Sequence, residues 1–396
     1  MSAGSRKIKS TERKGRCRPF FFGLDMNCLY LDGAAGVDVR KNFAFTARER
    51  EALCRRFLPL GGLVPVVTCG RTELYFPCPR ADAERAFSAF LKERAACSRE
   101  DNAQGSGAAG FSFCGGREAV LRLFRLAAGL LSMLRGEDEI LGQVRDCYEF
   151  SRALGASAGM DAAFQAALAC GKRVRAETKI SSLACSIATL AANAAFRFCA
   201  GGNALIVGAT GKMGGAVLKN IASKGGWKIV ATSRSHAFAA SAAGVTAADY
   251  AERHAFLEEA DVIVSATASP HTVFTADKAA AALRTQKPRL FIDLSVPPDI
   301  EAGVADIPGC TLLGLDGFRA AAEENNAKKR SAIAAAEKIA EGCAEQFFAD
   351  EAARRCAPAL AALPEMERKS LYVLRKSDPA AFCARAEALL AGKENP

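Results

Sequence analysis

The most diagnostic segment of this chain reads Ala204-Leu205-Ile206-Val207-Gly208-Ala209-Thr210-Gly211-Lys212-Met213-Gly214. Its four apolar residues predict a buried strand, and its three evenly spaced glycines predict a tight turn that leads into a helix. Glycines without side chains let a pyrophosphate approach the backbone, and the N–H groups at the helix start face the anion. A strand, a glycine turn and a helix in this order therefore predict a dinucleotide site.

Three further apolar runs follow the glycine turn, at residues 228–231, 262–264 and 290–292, and helical patterns separate them. This alternation is typical of βα units in a buried parallel sheet. The sequence therefore predicts an α/β domain of the Rossmann type over residues 179–314.

The residues after the second of these strands indicate which dinucleotide binds. A protein that binds NAD usually carries an acidic residue about twenty positions after the glycines, where it contacts the ribose 2′-hydroxyl. This chain has Ser233 and Arg234 there, and a guanidinium suits a 2′-phosphate. The alternative is a tight turn followed by an arginine that meets only solvent. We expect NADPH, bound by Gly208, Ala209, Thr210, Gly211, Lys212, Met213, Gly214, Ser233 and Arg234.

Length and composition set the class of protein. A chain of 396 residues, 50% hydrophobic and 24% charged, fits two or three globular domains. Neither a signal peptide nor a membrane-spanning run is recognisable, so a cytoplasmic protein without a membrane partner is expected. The fifteen cysteines and three histidines lack metal-ligand spacing, which predicts reduced thiols and no metal site. The net charge of +10 fits a polyanionic partner and fits a merely solubilising surface equally well.

The residues before the Rossmann-type domain mix strand-like and helical patterns, which predicts an α+β domain. Within it, Cys69 follows an apolar run at residues 63–67 and stands two positions before Arg71. A nearby guanidinium favours the thiolate, which is the nucleophilic form, and also offers a fork to a substrate carboxylate. Cys69 is therefore a candidate nucleophile. The alternative is a small, buried hydrophobic residue.

A helical pattern over residues 118–152 is interrupted at Gly136. Glu137, Asp138 and Glu139 stand at this interruption, just before the helical pattern resumes. Acidic side chains there either complement the dipole of the second helix or line a polar site. These residues alone leave both interpretations open.

The chain beyond residue 316 reads as one long helix with an apolar face. A continuous helix over residues 317–357 would be roughly 60 Å long at about 1.5 Å per residue. Such a helix separates domains or pairs subunits, and packing against its own chain is the alternative. Its apolar positions are Ile333, Ala336, Ala340, Cys343 and Phe347.

In this order, these segments resemble the glutamyl-tRNA reductase family over residues 23–348. The most specific match is A-A-G-L-L-S-M-L-R-G-E-D-E-I-L-G-Q-V-R at residues 127–145, close to the family's A-A-G-L-D-S-x-x-x-G-E-x-Q-I-L-G-Q-V-K. A shikimate-type dehydrogenase would share the Rossmann block but would not explain residues 136–143. Shorter matches lie at residues 172–178, 265–271, 293–297 and 323–325.

The resemblance implies reduction of glutamyl-tRNA(Glu) by NADPH to glutamate-1-semialdehyde, the first step of five-carbon tetrapyrrole (porphyrin) synthesis, through a thioester on Cys69. It implies a catalytic, tRNA-recognising domain at 17–178, an NADPH domain at 179–314, and a spinal helix with an α-helical dimerisation region at 315–396. It further implies a homodimer, no DNA partner, and hand-over of the product to glutamate-1-semialdehyde aminomutase. Arg71 would bind the glutamate carboxylate. By match to the family motifs, the glutamyl pocket is lined by Thr68, Gly70, Arg71, Ser132, Glu137, Asp138, Glu139 and Gln143.

The sequence departs from the family pattern within the expected pocket. Gly70 replaces an asparagine, Cys114 replaces a histidine, and Asp138-Glu139 replaces Pro-Gln. No histidine precedes His236, so the thiol would need another source of activation. The glycine turn also has one extra residue, and the region after residue 350 is shorter than in the family. The alternative function is that of a diverged, non-catalytic homologue that binds glutamyl-tRNA or NADPH as a regulatory partner.

Overall fold

The computed structural model describes residues 26–31, 35–68, 70–97, 110–178, 180–181, 186–233 and 244–391. They form two compact units. The larger one spans Asp25–Phe348, and the described part of the smaller one is residues 349–391. The division into 17–178, 179–314 and 315–396 stays a prediction. Within the described ranges, no helix is both long and apolar enough to cross a membrane.

The first part of the larger unit is an antiparallel sheet with helices packed against it. In chain order its elements are β1 (Asn27–Leu31), α1 (Val37–Arg40), α2 (Ala47–Phe57), β2 (Val64–Thr68), β3 (Arg71–Phe76), α3 (Arg80–Cys97), β4 (Ser112–Gly115), α4 (Arg117–Ala127), α5 (Glu139–Ala153) and α6 (Asp161–Thr178), with short 3-10 helices at Lys41–Phe43 and Leu58–Leu60. The strand order is β2-β3-β1-β4. The predicted α+β character and the interruption between α4 and α5 are confirmed.

Strand β3 is buried on both faces, although only one face is apolar. Leu74 and Phe76 join the hydrophobic core that α2 and α3 cover. Arg71, Glu73 and Tyr75 lie on the opposite face, because side chains alternate along a strand, and none is more than 4% exposed. Buried charged groups need partners inside the protein, and those partners define the candidate site.

The second part of the larger unit is a parallel sheet flanked by helices. Its elements are α7 (Ile187–Phe198), β5 (Gly202–Val207), α8 (Lys212–Ala222), β6 (Trp227–Ser233), β7 (Val245–Asp249), β8 (Val262–Ser265), α9 (Ala276–Ala282), β9 (Arg289–Asp293) and β10 (Cys310–Gly314), with 3-10 helices at Tyr250–Phe256, Ala302–Asp306 and Leu315–Phe318. The strand order β10-β9-β8-β5-β6-β7 confirms the predicted Rossmann-type sheet. Strands β7 and β10 were not predicted, because both lie at edges and lack a buried apolar run.

The chain then continues in two helices, α10 (Arg319–Lys328) and α11 (Arg330–Arg355). The prediction of one continuous helix is wrong, because the helix is broken at Lys329. This lysine is 1% exposed, and its Nζ donates to the carbonyl of Arg135 at 3.2 Å. An ammonium buried so deeply must keep such a partner. Helix α11 is about 39 Å long at 1.5 Å per residue.

Within the larger unit, α11 packs against its own chain, the alternative left open by the sequence. Arg125 of α4 pairs with Glu337 and Glu341, each at 2.9 Å. The rings of Phe124 and Phe347 lie 5.8 Å apart. The predicted apolar face of α11 is the face that makes these contacts, since its other apolar positions Ile333, Ala336 and Ala340 are also buried.

The smaller unit is helical, as predicted for the C-terminal region. Its helices are α12 (Ala357–Ala361), α13 (Glu365–Ser377) and α14 (Pro379–Ala391). Leu371 and Phe382 are buried between α13 and α14.

Candidate active site

The loop between β2 and β3 carries the candidate nucleophile. Strand pairing continues to Thr68 and Arg71, so only residues 69 and 70 connect the two strands. Cys69 lies outside the described residues. The N–H of Gly70 donates to the hydroxyl of Thr68 at 3.3 Å. A Cβ atom at Gly70 would meet no atom within 4 Å, so the first side-chain atom of the family's asparagine would have room there.

Arg40 connects this loop to the 3-10 helix Leu315–Phe318, which follows the last strand of the Rossmann-type sheet. Its Nη1 donates to the carbonyl of Gly70 at 3.4 Å, and its Nη2 pairs with Asp316 at 3.2 Å. The Arg40 side chain is 7% exposed, whereas Asp316 is 40% exposed. A cation therefore lies beside the residue that follows Cys69 in the chain, and it was not among the predicted site residues.

Glu73 is the centre of a buried charge network on the polar face of β3. It is fully buried and accepts hydrogen bonds from Arg71 at 2.9 Å, from Arg122 at 2.8 and 3.2 Å, and from Tyr75 at 2.6 Å. Arg71 also donates to the carbonyl of Leu131. The guanidinium expected to bind a substrate carboxylate thus already contacts a carboxylate and a carbonyl of its own chain.

Residues 128–138, here called the connecting segment, join α4 to α5 and contain Ser132, which is half-buried. Gly129 and Gly136 give the segment its shape, with φ angles of +76° and +80°. The N–H of Gly136 donates to the carbonyl of Gly129 at 3.0 Å. Positive φ at both positions explains why glycine interrupts the helical pattern here.

The connecting segment is held by the helix that follows the Rossmann-type sheet. Asn326 accepts from the N–H of Arg135 at 2.9 Å and donates to the carbonyl of Met133 at 2.8 Å. Lys329 adds the contact to the Arg135 carbonyl described above. Because Arg71 contacts Leu131, the structure brings the connecting segment, β3 and α10 together.

The three acidic residues at the start of α5 have different environments. Burial raises the pKa of Glu137 to about 7, with Glu139 acting in the same direction and Arg71 opposing it. Asp138 pairs with Arg175 at 3.3 Å. Glu139 is exposed in the first turn of α5, where it complements the helix dipole. The extra negative charge of Asp138-Glu139 is therefore partly balanced by Arg175 and by the raised pKa of Glu137.

Cys114, at the position of the family's histidine, is 3% exposed on β4 and lies directly opposite Cys28 of β1. A hydrogen bond from Cys28 lowers the pKa of Cys114, and Arg122 acts in the same direction against burial. Burial raises the pKa of Cys28 well above its usual value. Two neighbouring thiols, Cys28 and Cys114, therefore lie beside the Glu73 cluster where the family has its histidine.

The glycine turn has the geometry of a phosphate cradle. Gly208 has a φ of +83°, and a Cβ atom there would lie 2.4 Å from the carbonyl oxygen of Ala266. A Cβ atom at Gly214 would lie 2.2 Å from the carbonyl oxygen of Gly208. Helix α8 begins at Lys212, and its N-cap residue Gly211 offers no side chain to the first N–H groups. These groups are therefore open to an anion, which fits a dinucleotide.

The remaining predicted cofactor residues surround this turn. Ala209 is buried, Met213 is half-buried and Thr210 is exposed. Lys212 is 82% exposed and lies 3.8 Å from Asp146. Ser233 ends β6, and Arg234, expected to bind a 2′-phosphate, lies outside the described residues.

Asp299 organises the carboxyl ends of β8 and β9 next to the glycine turn. It is fully buried and accepts from the hydroxyls of Ser265, Thr267 and Ser295 at 2.6–2.7 Å. The N–H of Thr267 also donates to it at 3.0 Å. Because Ala266 touches Gly208, this carboxylate fixes the wall of the cradle.

In the described ranges there is no group of three or more histidine, cysteine or acidic side chains that could hold a metal ion. Among the residues that shape the two sites, Arg40, Arg122, Arg175 and Asp299 were missed. One signal was available for Arg122, a charged residue within the apolar spacing of α4. Arg40, Arg175 and Asp299 carry no such mark, because most of their hydrogen-bond partners lie 30 or more residues away in the chain.

The Rossmann-type sheet with its open glycine turn defines the chain as a nucleotide-binding α/β protein. A family model described as glutamyl-tRNA(Glu) reductase, N-terminal domain, matches residues 33–178, and one described as shikimate/quinate 5-dehydrogenase matches residues 190–321.

Comparison with whole proteins identifies the family. The glutamyl-tRNA reductase of Desulforudis audaxviator is 33% identical over 341 residues, which cover 83% of this chain and 75% of that protein. The one from Moorella thermoacetica is 31% identical over 345 residues, covering 84% and 77%. The solved structure of glutamyl-tRNA reductase from Methanopyrus kandleri aligns over 94% of this chain and 95% of that chain, with 28% identity and a TM-score of 0.45. The chain belongs to the glutamyl-tRNA reductase family, a family of oxidoreductases.

Proposed function

We propose that the chain reduces glutamyl-tRNA(Glu) to glutamate-1-semialdehyde with NADPH, the first step of five-carbon tetrapyrrole synthesis. The observation that carries this proposal is identity of 33% to a glutamyl-tRNA reductase over 83% of the chain. Residues 17–178 would act as the catalytic, tRNA-recognising domain, residues 179–314 as the NADPH domain, and residues 315–396 as spinal helix and dimerisation region. The proposed setting is the cytoplasm.

In the proposed reaction, the thiolate of Cys69 attacks the ester carbonyl of the glutamyl group, and the tRNA leaves with its ribose hydroxyl. The product is a thioester, which accepts hydride more readily than an oxygen ester because sulfur donates less electron density into the carbonyl. NADPH, when bound, supplies the hydride. Collapse of the resulting hemithioacetal releases the aldehyde and restores the Cys69 thiolate.

The chain's own charges support activation of this thiol without a histidine. Arg40 lies 3.4 Å from the carbonyl of Gly70, the residue after Cys69. Such a fixed cation favours the thiolate over the thiol. Glu137, with its pKa raised to about 7, is the acidic group of the pocket best suited to give or take a proton near neutral pH.

The glutamyl group would lie among the predicted pocket residues. Arg71 can reach a substrate carboxylate only by sharing its guanidinium between that group, Glu73 and the Leu131 carbonyl. The other members of the proposed pocket are Thr68, Gly70, Ser132, Asp138, Glu139 and Gln143.

Two features support binding of NADPH. The turn at Gly208 and Gly214 packs so closely on its own backbone carbonyls that only glycine fits there, and the N-cap residue Gly211 leaves the first N–H groups of α8 without a side-chain cap. Lys212 and Arg234 would add positive charge for the phosphates, with Ala209, Thr210, Gly211, Met213 and Ser233 completing the turn.

We also propose a homodimer that passes its product to glutamate-1-semialdehyde aminomutase. Helix α13 of the smaller unit exposes three apolar side chains, Met366 at 81%, Tyr372 at 45% and Val373 at 67%. Exposed apolar side chains grouped on one helix are common at subunit interfaces.

The test is an assay of the purified chain with charged glutamyl-tRNA and NADPH, in which the semialdehyde is detected. The Cys69→Ser variant should lose at least about a thousandfold in rate, because a hydroxyl without a base is a far weaker nucleophile than a thiolate. The matched control is Cys199→Ser, which removes a half-buried thiol far from the predicted pocket in sequence. Full activity of Cys69→Ser would contradict the thioester pathway.

A second candidate function is favoured by one observation, the buried Cys114 at the family's histidine position. It is a non-catalytic homologue that binds glutamyl-tRNA or NADPH as a regulatory partner. If the wild type and Cys114→His both bind charged tRNA but produce no semialdehyde, the result would favour the non-catalytic homologue over the reductase.

A further inference from the structure

The connecting segment is anchored on the nucleotide-binding part of the larger unit, although it carries residues of the proposed glutamyl pocket. Its residue Leu134 is fully buried and belongs to the hydrophobic core on one face of the parallel sheet, together with Phe318 and Ala322. Ala322 lies on α10, the helix that follows this sheet. The position of Ser132, two residues before Leu134, therefore depends on contacts outside the first part of the larger unit.

Asn326 of α10 fixes the backbone on both sides of Leu134. Its carboxamide oxygen accepts from the N–H of Arg135 at 2.9 Å, and its amide nitrogen donates to the carbonyl of Met133 at 2.8 Å. Ala322 and Asn326 lie one helical turn apart on the same face of α10, so the apolar and the polar contact support each other. A neutral carboxamide presents a donor and an acceptor side by side, which these two backbone groups require.

The end of α10 holds Arg135 at both its N–H and its carbonyl. Asn326 bonds the N–H, and the Nζ of the buried Lys329 donates to the carbonyl at 3.2 Å. The side chain of Arg135 is exposed, so these contacts fix its backbone. Because the next residue, Gly136, closes the segment through its bond to Gly129, loss of the Asn326 contacts alone should loosen the segment without unfolding it.

The residues that Asn326 holds are next to groups expected to bind the substrate. Ser132 directly precedes Met133 in the chain. The carbonyl of Leu131 accepts a hydrogen bond from Arg71, the residue proposed to bind the substrate carboxylate. A shift of the connecting segment would therefore move Ser132 and remove one of the hydrogen bonds that orient the guanidinium of Arg71.

We propose that Asn326 is a positioning residue for the glutamyl pocket. Through its two bonds to the backbone of the connecting segment, it holds Ser132 and the carbonyl of Leu131 in the geometry that thioester formation on Cys69 needs. It acts through this backbone and requires no contact with the substrate. The inference rests on the proposed reductase function and adds to the pocket a residue from the helix that follows the nucleotide-binding sheet.

The expected effect is on rate rather than on substrate affinity. Glutamyl-tRNA is mostly tRNA, so its affinity depends little on where the glutamyl group lies. A misplacement of about 1 Å at the reacting atoms, however, costs roughly a hundredfold in rate. Asn326→Ala should therefore lower kcat about 10- to 100-fold and change the KM values for glutamyl-tRNA and NADPH by less than about threefold.

The experiment is a single turnover of the full-length chain at saturating concentration with tRNA that carries labelled glutamate, in the absence of NADPH. Label that becomes bound to the protein reports thioester formation on Cys69. Its rate constant does not depend on how much of the protein is folded, whereas its amplitude does. The matched control is Asn203→Ala, which also removes a hydrogen bond from an asparagine side chain to a backbone carbonyl, that of Glu259 at 3.0 Å. Asn203 lies at the end of β5 opposite the glycine turn, so the rate constant should stay unchanged.

Asn326→Asp tests the two hydrogen bonds themselves. An ionised carboxylate keeps the bond from the N–H of Arg135 but repels the carbonyl oxygen of Met133, whereas a protonated carboxyl group can donate to that oxygen and restores both bonds. The rate constant of Asn326→Asp relative to wild type should therefore rise as the pH falls from about 8 to about 5.5, and that of Asn326→Ala should not. Glu137, with its pKa of about 7, titrates in all three proteins and does not produce this difference.

The outcomes separate this inference from the proposed function. Equal rate constants for wild type and Asn326→Ala, or a loss of amplitude alone, would overturn the positioning role and leave the reductase function intact. A lower rate constant in Asn326→Ala without recovery of Asn326→Asp at low pH would also overturn it, because the two hydrogen bonds would then not be the cause. A wild type that forms no thioester would instead refute the proposed function, and the positioning role would fall with it.

Discussion

Glu73→Ala should destabilise the first part of the larger unit more than any surface change. The variant removes the acceptor of four hydrogen bonds from Arg71, Arg122 and Tyr75, and it leaves two guanidinium groups that are 4% and 14% exposed without their carboxylate. Breaking a buried ion pair from one side costs about 3–5 kcal/mol. For a domain of roughly 150 residues this lowers the melting temperature by about 6–20 °C.

The assay is hydrogen–deuterium exchange of the amides in residues 71–76, combined with calorimetry. Trp227, the single tryptophan, is buried on β6 and reports separately on the Rossmann-type sheet by its fluorescence. Glu73→Gln keeps the shape and one acceptor, so its effect should lie between wild type and alanine. The control is Glu51→Ala, which breaks an exposed pair with Arg55 at 2.8 Å and should cost less than about 1 kcal/mol. A loss below about 1 kcal/mol for Glu73→Ala would refute the reasoning, because the network would then contribute no more than a surface pair.

Three further outcomes follow from the glycine turn and the pocket. Gly70→Ala should leave the free energy of unfolding in urea nearly unchanged, since the added Cβ meets no atom within 4 Å; a change above about 1 kcal/mol would contradict this. Gly208→Ala should weaken NADPH binding at least about tenfold, as measured by nicotinamide fluorescence. The control Gly142→Ala should leave NADPH binding unchanged, because the added Cβ meets no atom within 4 Å. The pKa of Glu137 is about 7 when folded and 4.5 in its usual state, so its contribution to stability is present below pH 4.5 and lost as the pH rises to about 7. Glu137→Gln should flatten the fall in melting temperature across this window, and an unchanged slope would show that Glu137 does not cause it.

The sequence was most informative where burial is uniform. Strands β5, β6, β8 and β9 lie inside the parallel sheet, so each is an apolar run that periodicity detects. The edge strands β7 and β10 are partly exposed and carry no such run. The break at Lys329 was also invisible, because no glycine or proline marks it in the sequence.

The site was predictable only as a set of positions. The motif match placed Thr68, Arg71 and the connecting segment in one pocket, and the structure brings Arg71 against Leu131 of that segment. The sequence did not reveal that Glu73 forms an ion pair with Arg71. The alternation of residues 71, 73 and 75 shows that their side chains share one face of the strand, but it does not show which charged groups pair with each other. Arg40 was missed for the same reason, since its contact with Gly70 spans 30 residues.

The contacts of Asn326 and Lys329 with the connecting segment also constrain the order of events during synthesis. The chain must grow by 194 residues after Arg135 before Lys329 exists to bind its carbonyl. At roughly 5–20 residues per second, a ribosome needs about 10–40 s for this. During that interval the segment around Ser132 emerges without the lysine and asparagine that later hold it. Its final conformation therefore waits until the whole nucleotide-binding sheet has been translated.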